Sequence, residues 1–233
     1  MMLGITIGDK HTGTDWGLNW IGITLPMPAP KLNTISVPGF DGSIDLTEFS
    51  GRIAYENREG AELKFSVNDG SPAAWHARYS AIANYLHGKK RKVILDTDAG
   101  FYYMGRLSIN EEKTDYFMSQ IVISGTFEPY KYELQSSLED WLWDPFSFED
   151  GIIREYRNLT VNGSLAVIIP GREMLTVPVI QSSTVMSVSY MGKSYEVKAG
   201  SNKIYGINLG PGDNILTFTG NGTVSIDYRG GSL

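Results

Sequence analysis

The chain has 233 residues, 42% of them hydrophobic and 20% charged, enough to bury the core of one large or two small domains and too apolar to be disordered throughout. A formal charge of -6, spread along the sequence, argues against DNA or an anionic membrane as the main partner. Without cysteine there is no disulfide framework or thiolate metal site, as expected of folding in a reducing cytoplasm, and neither a signal-peptide pattern nor an apolar run of membrane-spanning length is found.

Val, Ile, Thr, Tyr and Phe recur in short blocks separated by Gly, Asn, Asp and Pro, the texture of an all-β protein. Residues 3–8 read as a strand that His11, Gly13 and Asp15 interrupt. Between residues 18 and 40, Pro26, Pro28, Pro30 and Pro38 remove ladder donors, which predicts an extended arm or sheet edge. That arm carries Trp16, Trp20, Ile21, Ile23, Leu25 and Met27, whose exposed apolar groups need a neighbour to cover them.

One helix is predicted over 72–87. Ser71 can cap it, Pro72 suits its first position, and Trp75, Tyr79, Ile82 and Leu86 recur at helical spacing before Gly88. Residues 92–96 and 101–109 read as a hairpin about a 97–100 turn, and 116–127 as a further strand. The texture becomes polar past Tyr132, placing a boundary near Leu134 between domains 1–134 and 135–233. The second domain reads as a β-sandwich, with strands at 159–161, 166–169, 177–181, 186–191, 193–197, 204–209, 215–219 and 224–228. Tight reversals are expected at 191–193, 210–214 and 220–222, where glycines offer positive φ.

No pattern of residues specifies catalysis or a metal. His76 and His87 lack the spacing of a ligand pair; Asp96, Asp98 and Gly100 resemble a calcium-loop fragment without its closing acid. Residues 83–90 end like a phosphate-binding loop but lack its first glycine and sit at a helix end. The basic run 89–92 reads as a solvated patch that suits the helix dipole. Carboxylate pairs such as Glu139 with Asp140 and Glu149 with Asp150 are too generic to name an enzyme. No catalytic residue, metal or cofactor is therefore assigned. Trp141, Trp143, Phe146 and Phe148 cluster near the boundary, where welding two domains together is the favoured role over stacking on a sugar.

The run Gly51-Arg52-Ile53-Ala54-Tyr55-Glu56-Asn57-Arg58-Glu59, then Trp75, residues 82–89, residues 95–106 and Glu128-Pro129-Tyr130-Lys131-Tyr132 together resemble the N-terminal domain of the distal tail proteins of long-tailed phages. Residues 209–220 followed by 224–229 resemble that family's closing hairpin, so the likeness spans nearly the whole chain. It implies a β-barrel-like domain with one helix and an extended belt, joined to a galectin-like β-sandwich. It further implies a non-enzymatic hexameric ring that joins the tail tube to the tail-associated hub protein and carries receptor-binding machinery outside. The expected location is the virion tail tip, after assembly in the host cytoplasm. Two other classes remain open, a carbohydrate-binding module in the second domain and a cell-wall glycoside hydrolase.

Overall fold

The computed structural model describes residues 3–67, 71–110, 119–139 and 155–233. The chain forms two compact units, one of Met1–Asp98 with Tyr102–Pro129, the other of Ala99–Phe101 with Tyr130–Leu233.

The first unit contains β1 (Ile5–Ile7), β2 (Lys10–His11), β3 (Asn19–Thr24), β4 (Thr34–Ile35), β5 (Ile44–Asp45), β6 (Arg58–Val67), α1 (Pro72–Leu86), β7 (Lys90–Leu95), β8 (Phe101–Asn110) and β9 (Ser119–Phe127). Its main sheet runs β2-β1-β7-β8-β9-β6-β3, antiparallel at each described pairing. From Ala61 to Val67, β6 buries every second residue, the pattern of a strand with one face on a core. That core gathers Ile5, Ile7, Leu63, Phe65, Ile82, Leu86, Leu107, Ile123 and Phe127. Between β2 and β3 a short link carries the chain from one end of the sheet to the other. Leu18 N–H donates to Thr12 O at 2.9 Å, so the two ends approach each other in barrel fashion.

Of the segment expected to be an extended arm or sheet edge, residues 19–24 supply the edge strand β3, paired to β6 with a bulge between Trp20 and Gly22, because the prolines begin only at Pro26. Helix α1 starts where Ser71 accepts from Ala74 N–H at 3.2 Å and Pro72 fills the first turn. Its buried face, Ile82 and Leu86, closes the core. Tyr85 fastens the helix to the β1–β2 turn: its hydroxyl donates to the Asp9 carboxylate and accepts from Asp9 N–H at 3.1 Å, with Ile7 O 3.0 Å away. Arg78 reaches the β2–β3 link through Trp16 O at 2.5 Å and Gly17 O at 3.2 Å.

The second unit contains β10 (Lys131–Glu133), β11 (Leu159–Gly171), β12 (Val179–Ser182), β13 (Met186–Tyr190), β14 (Lys193–Val197), β15 (Gly200–Lys203), β16 (Gly212–Asp227) and β17 (Gly231–Ser232). Strands β11 and β16 pair without a break from Leu159↔Val224 to Gly171↔Gly212. Each merges two strands that the sequence had separated. The expected reversal at 220–222 does not occur, because Asn162↔Asn221 and Gly163↔Gly220 continue the ladder through it. On its other side β16 pairs β13 over 217–219 and β12 over 224–227, so the sheet folds between those stretches. Met186, Val188, Leu216 and Phe218 from one half then share a single core with Ile180, Val224, Ile226 and Tyr228 from the other, as in a sandwich.

Glycine is required at this fold for want of space. Gly220 has φ 146° and Gly222 φ 148°, and side chains there would meet Met186 Cβ at 2.7 Å and Thr184 Oγ1 at 2.6 Å. Residues 204–209 also differ from expectation. The ladder to β12 is made one segment earlier, by β15, while Ile207 and Leu209 enter the core from irregular chain held by Tyr195 OH to Gly206 O at 3.1 Å. The 191–193 reversal is a two-residue hairpin turn with Met191 at φ 48° and Gly192 at φ 76°. At 210–214, Asn214 Nδ2 donates to Gly210 O at 2.8 Å and Gly212 O at 3.0 Å and so ties the turn internally.

Gly220→Ala is expected to lower unfolding free energy by about 2–3 kcal/mol through backbone strain and the Met186 clash, read from urea midpoints. In the folded state Tyr85 holds the Asp9 carboxyl below the ordinary aspartate value, chiefly by its hydrogen bond. A depressed carboxyl stabilises above its unfolded pKa, and that contribution disappears as pH falls through the folded value. The stability gap between wild type and Tyr85→Phe should therefore be wider at neutral pH than below the aspartate range; equal gaps in urea titrations at the two pH values would contradict this.

Candidate functional site

Residues 29–56 leave the first unit as a two-stranded arm. Its pairing starts at the Pro30↔Tyr55 bridge, with Lys31 N–H to Ala54 O and Glu56 N–H to Ala29 O both at 2.8 Å, and continues through Thr34↔Asp45 and Ile35↔Ile44. Phe40 N–H to Val37 O at 3.1 Å turns the tip. On the returning strand Thr47 is pinned twice, Asn33 N–H donating to its hydroxyl at 3.0 Å and its own N–H to Asp45 Oδ1 at 2.8 Å. These Thr47 bonds, side chain first, hold the Asp45 carboxyl below its ordinary value.

Every residue from 31 to 45 is exposed. Leu32, Ile35, Val37, Phe40, Ile44 and Phe49 all present apolar surface, Phe49 at 87%. A two-stranded ribbon has no second layer, so these side chains lack cover within the arm, and a patch of this kind marks an interaction surface.

The six arm residues singled out in the sequence divide. Trp16 lies edge-on to Tyr85 at 5.5 Å and Trp20 edge-on to Phe65 at 5.8 Å, while Ile23 and Leu25 pack on the same core. Ile21 and Met27 remain exposed, Met27 at 67%. The greater part of the free apolar surface thus lies beyond Met27, in the hairpin itself. Its signal in the sequence was the recurrence of Leu32, Ile35, Val37, Phe40 and Ile44 among the turn formers Pro38, Gly39 and Gly42.

Arg58 holds the root of the arm and was not singled out in the sequence as a site residue. Only 3% exposed, it donates from Nε to Pro129 O at 2.9 Å and from Nη1 to Pro26 O at 3.2 Å, with Met27 Sδ at 3.6 Å and the Tyr103 ring 5.7 Å away. Burial pushes its pKa down. The side chain that ends the arm is thereby bound to the backbone that begins it. The bulge between Arg58 and Ala61 lets the strand bend there, with Gly60 at φ 73°.

Next to this root lies a groove of about 770 Å³ lined by Asn57, Gly60, Lys90, Met104, Arg106 and Glu128 among others. Lys90 pairs with Glu128 across it. Arg106 Nη1 caps the end of α1 through Gly88 O at 2.7 Å. The basic run 89–92 is divided by the pleat: Lys90 is exposed, Arg91 stacks on Tyr85 at 4.5 Å, and Lys92 lies 4.6 Å from the Tyr102 ring.

The other candidates have structural duties. Asp96 accepts from Gly4 N–H at 2.8 Å and pairs with His11 Nε2 at 3.1 Å; His87 Nδ1 accepts from Ile109 N–H at 3.2 Å; His76 lies edge-on to Trp75 at 5.1 Å. Among the described residues no group of three or more His, Asp or Glu could hold a metal ion, and no helix is long and apolar enough to cross a membrane. Glu139 accepts from Ser136 N–H at 3.0 Å. Asp140, Glu149 and Asp150 lie outside the described residues, as do Trp141, Trp143, Phe146 and Phe148. In the second unit Tyr156, Tyr190 and Tyr228 are buried, and their hydroxyls donate to Ile168 O, Asn208 O and Pro170 O, which removes them as platforms for sugars.

Arg58→Met is expected to destabilise the protein by about 1–3 kcal/mol, because the Pro26 and Pro129 carbonyls would stay buried without their donor. Thermal unfolding of the two proteins measures this, and an unchanged midpoint would exclude the role.

No family model and no curated protein sequence matches the chain. Among solved structures it is similar to the Dit protein of phage SPP1, with a TM-score of 0.67 at 14% identity, over 100% of both chains. That structure is described as a paradigm of the hub adsorption apparatus in phages infecting Gram-positive bacteria. The chain therefore shares, across both units, the all-β fold of a phage distal tail protein.

Proposed function

We propose that this chain is a structural distal tail protein of a long-tailed phage, which assembles head-to-tail into a six-membered ring at the tail tip. The observation that carries the reading is the arm: a ribbon with exposed leucine, isoleucine, valine and phenylalanine side chains on a well-packed unit. Such a surface marks an interaction site, and a contact between two different faces of identical copies closes into a ring when its rotation allows. The likeness to SPP1 Dit supports the setting, since that protein belongs to a hub adsorption apparatus. On this reading the ring joins the tail tube to the tail-associated hub protein, supports receptor-binding proteins on its outside, and performs no catalysis. Its place is the tail tip of the virion, reached after assembly in the host cytoplasm.

The division of the six arm residues defines the test. Removing residues 13–38 would take away β3 and part of the core, whereas replacing 31–54 by Gly-Gly joins Pro30 to Tyr55, which already face each other. That variant should keep its far-ultraviolet dichroism and unfold cooperatively yet scatter light as a monomer, while the full chain forms rings. Rings formed by the armless protein would refute the proposal.

A further inference from the structure

The link between β2 and β3 is built around one imidazole. His11 Nδ1 lies 3.2 Å from Gly13 N, 3.2 Å from Thr14 N and 3.3 Å from the Thr14 hydroxyl, while Nε2 lies 3.1 Å from Asp96 Oδ2. Backbone N–H groups can only donate, so Nδ1 carries its lone pair; an ionised carboxylate can only accept, so Nε2 carries the hydrogen. The surroundings thus select the neutral Nε2–H form of the ring. They also seat it closely, since a side chain at Gly4 would meet Nε2 at 2.5 Å and one at Gly13 would meet Cε1 at 3.2 Å. With 21% of its side chain exposed, the ring is still within reach of water.

The rest of the link closes over this ring. Asp15 N–H donates to His11 O at 3.0 Å, Gly17 N–H to Gly13 O at 3.0 Å and Leu18 N–H to Thr12 O at 2.9 Å. Leu18 is buried and Trp16 lies against Tyr85, so the path of the link sets the entry to β3 and one contact of α1. Charged groups adjoin it from each element packed there. Just past β7 stands Asp96, whose Oδ2 also accepts from Gly4 N–H at 2.8 Å. Within the link Asp15 Oδ2 accepts from His11 N–H at 2.8 Å, and its Oδ1 is 3.5 Å from Lys10 Nζ. From α1, Arg78 holds the Trp16 and Gly17 carbonyls.

We infer that the 12–18 link is a proton-sensitive latch, closed on the neutral His11 ring and released when Nδ1 takes up a proton. An imidazolium donates from both nitrogens. Its Nε2–H keeps Asp96, with charge attraction added, but its Nδ1–H points at two N–H groups that donate as well. The ring therefore stays on Asp96 and the link loses its acceptor. Because the closed link has no proton on Nδ1 and the open one does, acid favours the open form. The element set free is the connection between the two ends of the sheet, together with the seat of Trp16.

Hydrogen exchange of the 12–18 peptide, followed by mass spectrometry and corrected for the intrinsic pH dependence of amides, measures the latch in the full chain. In the wild type its protection should fall about tenfold between about pH 8 and about pH 5, the range in which imidazole ordinarily changes charge, while residues 61–67 of β6 keep theirs. His11→Asn retains an acceptor for the amides two and three residues on, in the manner of an Asx turn, but does not titrate, so its link should stay protected at both pH values. His11→Lys, a lasting cation without an acceptor, should leave the link open throughout. Nitrogen–proton spectra of the wild type, with only three histidines to separate, should show a ring in the Nε2–H form at neutral pH and need no variant to fold. A wild-type link equally protected at both pH values, an equal fall in His11→Asn, a closed link in His11→Lys, or the absence of an Nε2–H ring would overturn the latch.

Discussion

A ribbon of two strands cannot hide its own side chains. Pairing satisfies the backbone of residues 29–56, through Lys31 with Ala54 and Thr34 with Asp45, but no layer packs on either face of the described arm, and its aliphatic and aromatic groups stay in water. Burying one such side chain is worth about 1.5–3 kcal/mol, so the six large ones beyond Lys31 amount to a considerable free energy that folding of the single copy leaves unused. Association can use it, after meeting the cost of lost motional freedom. On the proposed ring reading, devices in the first unit keep this energy available to a partner.

Those devices are concentrated at the root. Arg58 binds the backbone at both Pro26 and Pro129 next to a bulge in β6, so the chain is tied where the arm begins and ends. Trp16 and Trp20 work from the other side, anchoring the chain before the arm onto Tyr85 and Phe65. Tyr85 itself ties α1 to the β1–β2 turn. On the ring reading, an arm tied at its root loses less freedom on association than an untied one, which favours binding.

The sequence was informative where a single local rule governs. Ser71, Pro72 and Gly88 bracketed α1 because capping and proline geometry act over a few residues. The alternation in β6 and the turn glycine at 192 follow equally local rules. It was less informative where a long-range partner decides. Gly220 and Gly222 resemble a reversal in sequence, yet they serve the close passage of Ser183, Thr184 and Met186, some 36 residues away. Whether Trp20 faces inward or outward depends on its pairing with Phe65, which composition cannot reveal. Arg58 was invisible as an anchor because its partners are carbonyl oxygens, which every residue possesses.

The unbroken pairing of β11 with β16 has a kinetic consequence. The two strands are separated by about forty intervening residues, and both halves of the second unit hang on β16. Closing so large a loop is entropically costly and gives the ladder little reward until much of it zips together. During synthesis residue 159 must therefore wait for residue 224 to leave the ribosome before the last rung can form. The ladder of the second unit thus waits for residue 224, whereas β1, β3, β6, β7 and β9 of the first find their described partners between residues 5 and 127 and are free to settle while the rest is still being made.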